Sequence, residues 1–488
     1  MIITDANAGA TPTEPQRGAV TRQAVVLIHG IGEQRPMATL RGFVAAFLPF
    51  GSYHSKADTI SQSYELRRIK LRRAEKSEDA PDGVNLDWPE TDFYEYYWAH
   101  QMYGTRIAHV TNWLIRTLKA GAKAAWTGEW NDSAYHPRLK ALLPMGWLTA
   151  LLMIGVVMWA MVQPKAAAQA GAIVLLLGAL WKMVLAPLLD SVFTDVVGDA
   201  ARYLDVAPQN VARRYDVIRG GVEMLRKLHD EQTESSGEIL YRYSRVVVIG
   251  HSLGSLIAYD ILRHYWPEVN SRLSVDPRDI ASVEQFDGGN VDTTMTDVST
   301  HQNPIRFRDD QTTCWHVANA WWLSQVRVTS AETKRPDRSR WLVTDLITLG
   351  CPLTYAPLLL ADGLADLDHK KQLRELLTCP PDRSRHLSKG HFTVKLSAEA
   401  DRFLDFSILP QGAMFAITRW TNFFYTNDPV GGPLGHLFLR GIDDHRLKPI
   451  GLRSPLRAHI SYWDKTRTAA APCIATLRDI LQRPLRKH

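Results

Sequence analysis

The stretch Arg245–Tyr259, RVVVIGHSLGSLIAY, restricts the fold of this chain more than any other. Val246 to Ile249 are consecutive β-branched apolar residues, the pattern of a strand covered on both faces. Gly250-His251-Ser252-Leu253-Gly254 follows at once, and Leu256, Ile257 and Ile261 then begin a helical period. A strand that passes into a helix through a five-residue turn, with glycine at both ends of that turn, predicts a nucleophile elbow with Ser252 at its apex. The serine of such a turn takes a strained backbone angle, so the residues two positions away must lack side chains for strand and helix to approach. The Leu253 N–H then stands at the helix start, where unpaired donors and the helix dipole favour a developing negative charge.

A second glycine-rich turn lies near the beginning of the chain. Gln23–Ile28 reads as a buried strand running into His29-Gly30-Ile31-Gly32-Glu33-Gln34. A turn of this kind supplies the other oxyanion donor in serine hydrolases, and the backbone N–H of Ile31 is the group expected there, about 3 Å from the oxyanion. His29 is expected to prop the loop and not to transfer protons. Met37–Phe50 reads as the next helix, and Ser63–Arg73 and Phe93–Ala99 as strands. Glu95, in the second of these, reads as a solvated edge charge or else as a wall of the site.

Serine is a poor nucleophile at neutral pH and needs a base, and the base needs an orienting acid. Arg419–Tyr425 reads as a strand ending at Thr426-Asn427-Asp428-Pro429. Catalytic groups gather at the carboxyl edge of an open α/β sheet, which makes Asp428 the expected acid; an Asx-turn before proline is the alternative use of the same residue. Asp345 is the second candidate, but it lies inside or before its strand (Trp341–Leu349), where a structural role is expected. Three histidines follow Asp428. His436 belongs to whatever element leaves the aspartate turn, His445 sits in a polar GIDDHR loop, and His459 lies in a loop before a last helix at Ala469–Leu481. The final loop is where a base reaches in, so His459 is the expected base and His445 its competitor.

The other informative feature is apolar. Gly146–Val162 carries no charge over 17 residues, and Ala166–Trp181 is again uncharged, with the single Lys165 between them. The first run spans about 26 Å as a helix, which suits a transmembrane hairpin over 145–190; a buried hairpin or a hydrophobic substrate cap is the alternative. If Phe93–Ala99 and Arg245–Ile249 are neighbours in one sheet, the chain must cross a membrane an even number of times between them. Arg138 and Lys140 precede the first span, and the Gln101–Trp126 helix before them adds four basic residues. The positive-inside rule puts the body in the cytoplasm and the hairpin tip outside.

The remaining residues narrow the alternatives. A net charge of +6 with no basic tract interleaved with aromatics argues against nucleic acid as a partner. Cys314, Cys351, Cys379 and Cys473 are far apart and form no CxxC pair, which argues against zinc and against a disulfide framework. Residues 1–22 have no apolar core of a signal peptide and read as a disordered lead. The domain organisation expected is therefore a body in two parts, 23–144 and 191–488, split by the hairpin, with a loop-rich insertion at 267–340.

The segments VVLIHGIGEQ (25–34), VVVIGHSLGS (246–255), ITLGCPL (347–353), WTNFFYTNDPVGG (420–432) and HISYW (459–463) together resemble the α/β-hydrolase superfamily, in particular its lipase-like serine hydrolases. The resemblance runs from residue 23 to the C-terminal helix. It implies an α/β fold with a mostly parallel sheet flanked by helices. It also implies ester hydrolysis through an acyl-enzyme, with Ser252 as nucleophile, His459 as base and acid, Asp428 as orienter, and no cofactor or metal. Together with the hairpin it points to a membrane-anchored esterase or lipase acting on lipid or other acyl esters. A non-catalytic membrane scaffold, or an acyltransferase with the same triad, are the alternatives.

Overall fold

The computed structural model describes residues 22–30, 35–48, most of 53–71, 89–101, 208–270, 341–381, 391–395, 403–407, 414–448 and 455–482 with a few interruptions, and isolated positions elsewhere, among them Tyr203, Arg308 and Gln311. In chain order the elements that build the site are β1 (Arg22–Ile28), α1 (Ala38–Phe47), β2 (Tyr53–Lys56), β3 (Arg68–Leu71), β4 (Glu90–Tyr96), α2 (Pro208–Asp230), a β5–β6 hairpin (Gln232–Ser235 and Glu238–Tyr241), β7 (Arg245–His251) and α3 (Leu253–Asn270). After these come β8 (Val343–Leu349), α4 (Leu364–Gln372), a β9–β10 hairpin (His391–Lys395 and Phe403–Ser407), β11 (Arg419–Tyr425), β12 (Asp443–Leu447), α5 (Pro455–His459) and α6 (Ala471–Gln482).

Eight strands form one sheet in the order β12-β11-β8-β7-β1-β4-β3-β2. The run from β12 to β4 is parallel throughout, and β3 and β2 are added antiparallel at one edge. The expected α/β architecture, a mostly parallel sheet with flanking helices, is therefore present. Every residue of β7, β8 and β11 is buried, as strands covered by helices on both faces must be, and their polar members such as Asp345 and Asn422 are hydrogen-bonded there. The two faces sort by alternation. Ala24, Val26, Ile28, Val246 and Val248 point to one side, where they meet Val217, Leu225 and Leu228 of α2 and Leu256, Ile257 and Ile261 of α3. Val25, Leu27, Val247 and Ile249 point to the other, onto Leu40, Phe43 and Val44 of α1 and Cys473, Leu477 and Leu481 of α6.

The strand positions carry several corrections. β4 and β7 share the sheet but are not neighbours, because β1 lies between them and pairs in parallel with both. Glu95 is not a solvated edge charge: β4 is an interior strand and Glu95 is only 2% exposed, with Oε2 accepting the Met37 N–H at 2.6 Å. Burial pushes its carboxyl up to about 7, against the opposing pull of that N–H and of Arg41. β2, the two hairpins and β12 were not expected at all. Asp345 has the structural role expected of it, buried between Arg245 (2.6 Å) and Arg419 (2.9 Å) from the strands on either side. Arg245 also donates to the Ile480 carbonyl, which ties α6 to the base of the sheet.

Among the described residues no helix is long and apolar enough to cross a membrane. The hairpin expected over 145–190 lies outside them apart from Gly155 and Met158; the 1–22 lead up to Thr21 and most of the 267–340 insertion lie outside them as well.

Candidate active site

The site forms where β1, β7, β8 and β11 end, at the edge to which all four strands point their carboxyl termini. β7 runs to His251, α3 opens at Leu253, and Ser252 between them has φ 55°, in the left-handed region. A non-glycine residue holds such an angle at a cost of about 1–3 kcal/mol only where its surroundings enforce it. The enforcement is visible in the packing. A Cβ on Gly254 would lie 2.3 Å from the Ile28 carbonyl oxygen, and one on Gly250 would lie 2.4 Å from the Ser255 Cα. The two glycines are thus required by close backbone approach, as the elbow pattern predicts. The Ser252 N–H donates to the Leu349 carbonyl at 2.9 Å, so β8 also fixes the turn. Leu253 is buried at the first position of α3, and its N–H is one of the first-turn donors that no helical carbonyl can reach.

The expected acid and base meet this serine. Nε2 of His459 lies 2.8 Å from Ser252 Oγ, and Nδ1 of His459 lies 3.0 Å from each oxygen of Asp428. All three side chains are buried. A carboxylate facing Nδ1 keeps the proton on that nitrogen and leaves Nε2 free to accept the serine proton. His459 closes the five-residue helix α5 and does not lie in a loop as expected. Asp428 follows β11 by three residues. Its Oδ1 also accepts the Val430 N–H at 2.8 Å, and its Oδ2 accepts the Tyr462 hydroxyl at 2.5 Å. The Asx-turn and the contact with an imidazole, read from the sequence as alternatives, are therefore made by the same residue. Burial alone would raise the Asp428 carboxyl; the facing His459 and these hydrogen bonds outweigh it and hold it at about 2.

The competing histidines are elsewhere. His445 is on β12, with its ring stacked on Phe423 at 4.7 Å and its Nε2 3.0 Å from Asp443. His436 is in the short helical turn 435–438. His29 props its turn as expected: Nδ1 donates to the Gly30 carbonyl at 2.7 Å, and the ring stacks on Trp98, which donates Nε1–H to the His29 carbonyl. Burial, only partly opposed by the Gly30 bond, pushes His29 down to about 4. Ile31, expected to give the second oxyanion donor, lies outside the described residues.

Three neighbours were missed by sequence reasoning. Gly350 follows β8 at φ 61°, and a Cβ there would be 2.9 Å from Asp428 Oδ2 and 3.0 Å from His459 Nδ1. The backbone can pass beneath the acid–base pair only without a side chain; a glycine directly after a strand was the available signal. His251 and Tyr462 are the others. One adjoins the serine and the other follows the base by three residues, and nothing in their local sequence distinguishes them from packing residues. Cys351, next to Gly350, is no rival nucleophile, because burial pushes its thiol up to about 12. Among the described residues no cluster of His, Cys, Asp and Glu could hold a metal ion.

Comparison with protein-family models, with curated proteins and with solved structures finds no match to this chain.

Proposed function

We propose that this chain is a serine ester hydrolase of the α/β-hydrolase type. The observation that carries the reading is the unbroken line from Ser252 Oγ through the His459 ring to the Asp428 carboxylate, with spacings of 2.8 and 3.0 Å. In the reaction Ser252 Oγ attacks the ester carbonyl while its proton passes to His459 Nε2. Asp428 stays ionised, holds the ring and stabilises the imidazolium. The carbonyl electrons collect on an oxyanion facing the Leu253 N–H and, on this reading, the Ile31 N–H. Collapse expels the alkoxide, which takes the proton from Nε2 and leaves as the alcohol. Water, deprotonated by His459, then attacks the acyl-enzyme, and the acid leaves as Ser252 recovers its proton.

The substrate we assign is an acyl ester, with a membrane lipid as the preferred class, and the protein would be anchored by a hairpin over 145–190 with this domain on the cytoplasmic face. The support is the pair of uncharged runs at 146–162 and 166–181 and the basic residues before them. Anchoring would bring the mouth of the site to the bilayer, so that an acyl chain enters without crossing much water.

Fluorophosphonate labelling with turnover of a short soluble ester and of vesicle-borne lipid ester tests both parts. Labelling at Ser252, and a fall in turnover of about 10⁴-fold or more in Ser252→Ala, are expected. An unlabelled protein with no esterase activity overturns the enzyme reading. Equal turnover of soluble and vesicle-borne esters removes the lipid from it.

A further inference from the structure

His459 is aimed from two directions, and only one of them is its contact with Asp428. His459 is the last residue of α5, and Ile460 after it is 61% exposed. A side chain from the elbow itself holds the backbone of the base. Nε2–H of His251 donates to the His459 carbonyl oxygen at 2.8 Å. That carbonyl ends a helix, where no further turn supplies a donor, so the bond meets a real need. The ring is fixed by packing: it lies edge-on to Trp463 at 5.0 Å and next to the His459 ring at 5.1 Å.

The geometry has a consequence for the reacting atoms. His251 and Ser252 are joined by a peptide bond on one rigid turn. The bond from His251 to the His459 backbone and the bond from the His459 ring back to Ser252 close a small circuit between segments 207 residues apart in the chain. We infer that His251 is a positioning residue that sets the distance between nucleophile and base through the His459 carbonyl. The ring stays neutral across the working range: burial, reinforced by the neighbouring His459, pushes His251 down to about 3 despite the carbonyl it faces. A charged ring there would oppose the imidazolium that forms on His459 during the reaction. Its other nitrogen, Nδ1, lies 3.2 Å from where a Gly30 side chain would begin, so the same ring also abuts the turn after β1.

The inference rests on Ser252, His459 and Asp428 acting as the hydrolytic triad, and the test separates the two. His251→Met keeps an unbranched apolar side chain but no donor, and His251→Gln keeps a donor at the reach of Nε2. Soluble-ester turnover is divided by the active sites titrated in the burst, and fluorophosphonate labelling rate and urea midpoint are measured alongside. A displaced base costs on the order of 10²-fold per Å, so H251M is expected to lose about 30-fold in kcat per titrated site with KM unchanged, and its labelling rate to fall in proportion. H251Q is expected to stay within about threefold of the unmodified protein. A purely structural residue would lower the number of active sites and the urea midpoint and leave kcat per site intact. The inference is overturned if H251M keeps its kcat per site within twofold, or if H251Q falls as far as H251M. Should H251M fail to fold, His251→Asn, whose amide is too short to reach the carbonyl, takes its place with the same two outcomes. An unmodified protein that is never labelled at Ser252 sinks the triad instead.

Discussion

Removing the Tyr462 hydroxyl gives the most direct measure of how the carboxylate of the site is held. Tyr462→Phe takes from Asp428 Oδ2 the donor at 2.5 Å, and from the Tyr425 N–H an acceptor at 3.3 Å, while the ring keeps its packing on Tyr425 at 4.9 Å. A hydrogen bond to a charged group contributes about 1.5–3 kcal/mol. Asp428 retains His459 and the Val430 N–H, so the lower end applies, about 1.5 kcal/mol, which moves its carboxyl up from about 2 by roughly one pH unit. The carboxyl therefore remains ionised above pH 5 and the protein remains active, with kcat down by less than about tenfold. The stability sign follows from linkage. Asp428 is depressed in the folded state, so its contribution is present above the unfolded value of about 3.9 and is lost as the pH falls through the folded value. Urea unfolding should accordingly show a loss of about 1.5 kcal/mol at pH 7 that narrows below pH 4. A variant whose stability at pH 7 matches that of the unmodified protein would refute the idea that Tyr462 bonds an ionised Asp428.

The remaining expectations concern the scaffold. Gly254→Ala places a methyl group 2.3 Å from the Ile28 carbonyl and 2.4 Å from that of His29, both of them backbone atoms that cannot swing aside. A loss of about 3 kcal/mol or more in urea unfolding, with slower fluorophosphonate labelling, is expected; full stability would mean that the elbow is not tightly packed against β1. Glu95→Gln should stabilise the protein at pH 8 and flatten its pH dependence. The Glu95 carboxyl is raised from 4.5 to about 7, so its burial penalty is absent below about pH 4.5 and complete above pH 7, where it reaches about 3 kcal/mol. Unchanged unfolding free energies at pH 5 and pH 8 in the variant would show that Glu95 is more hydrated than its burial implies.

Much of the site was legible because its signals are local. A strand, a turn bracketed by glycines and a helix are neighbours in sequence, and the steric demand that Gly250 and Gly254 meet is a property of that turn. Asp428 was legible because a strand end followed by proline marks the carboxyl edge. The choice among His436, His445 and His459 was weaker, since it depended on which segment turns back toward the sheet. β2, β12 and the two hairpins gave little to read: they are four or five residues long and carry polar side chains such as those of Tyr53–Lys56 and Asp443–Leu447. Glu95 was misread for a related reason. Nothing in FYEYYWA tells an interior strand from an edge, and only the strand order puts β3 and β2 outside it.

By itself, then, the sequence determined the elbow, the parallel α/β character of the core and the kinds of residue that could serve the serine, because those follow from periodicity and from turn sterics over a few residues. Tertiary structure decided which imidazole comes within 2.8 Å of Ser252 Oγ, that Gly350 must pass bare beneath it, and that His251 and Tyr462 bond to the His459 carbonyl and the Asp428 carboxylate. The physical reason is one of range. Backbone strain and burial patterns act between neighbours in the chain, whereas a hydrogen bond between residues two hundred positions apart exists only once the sheet has brought their strands to one edge.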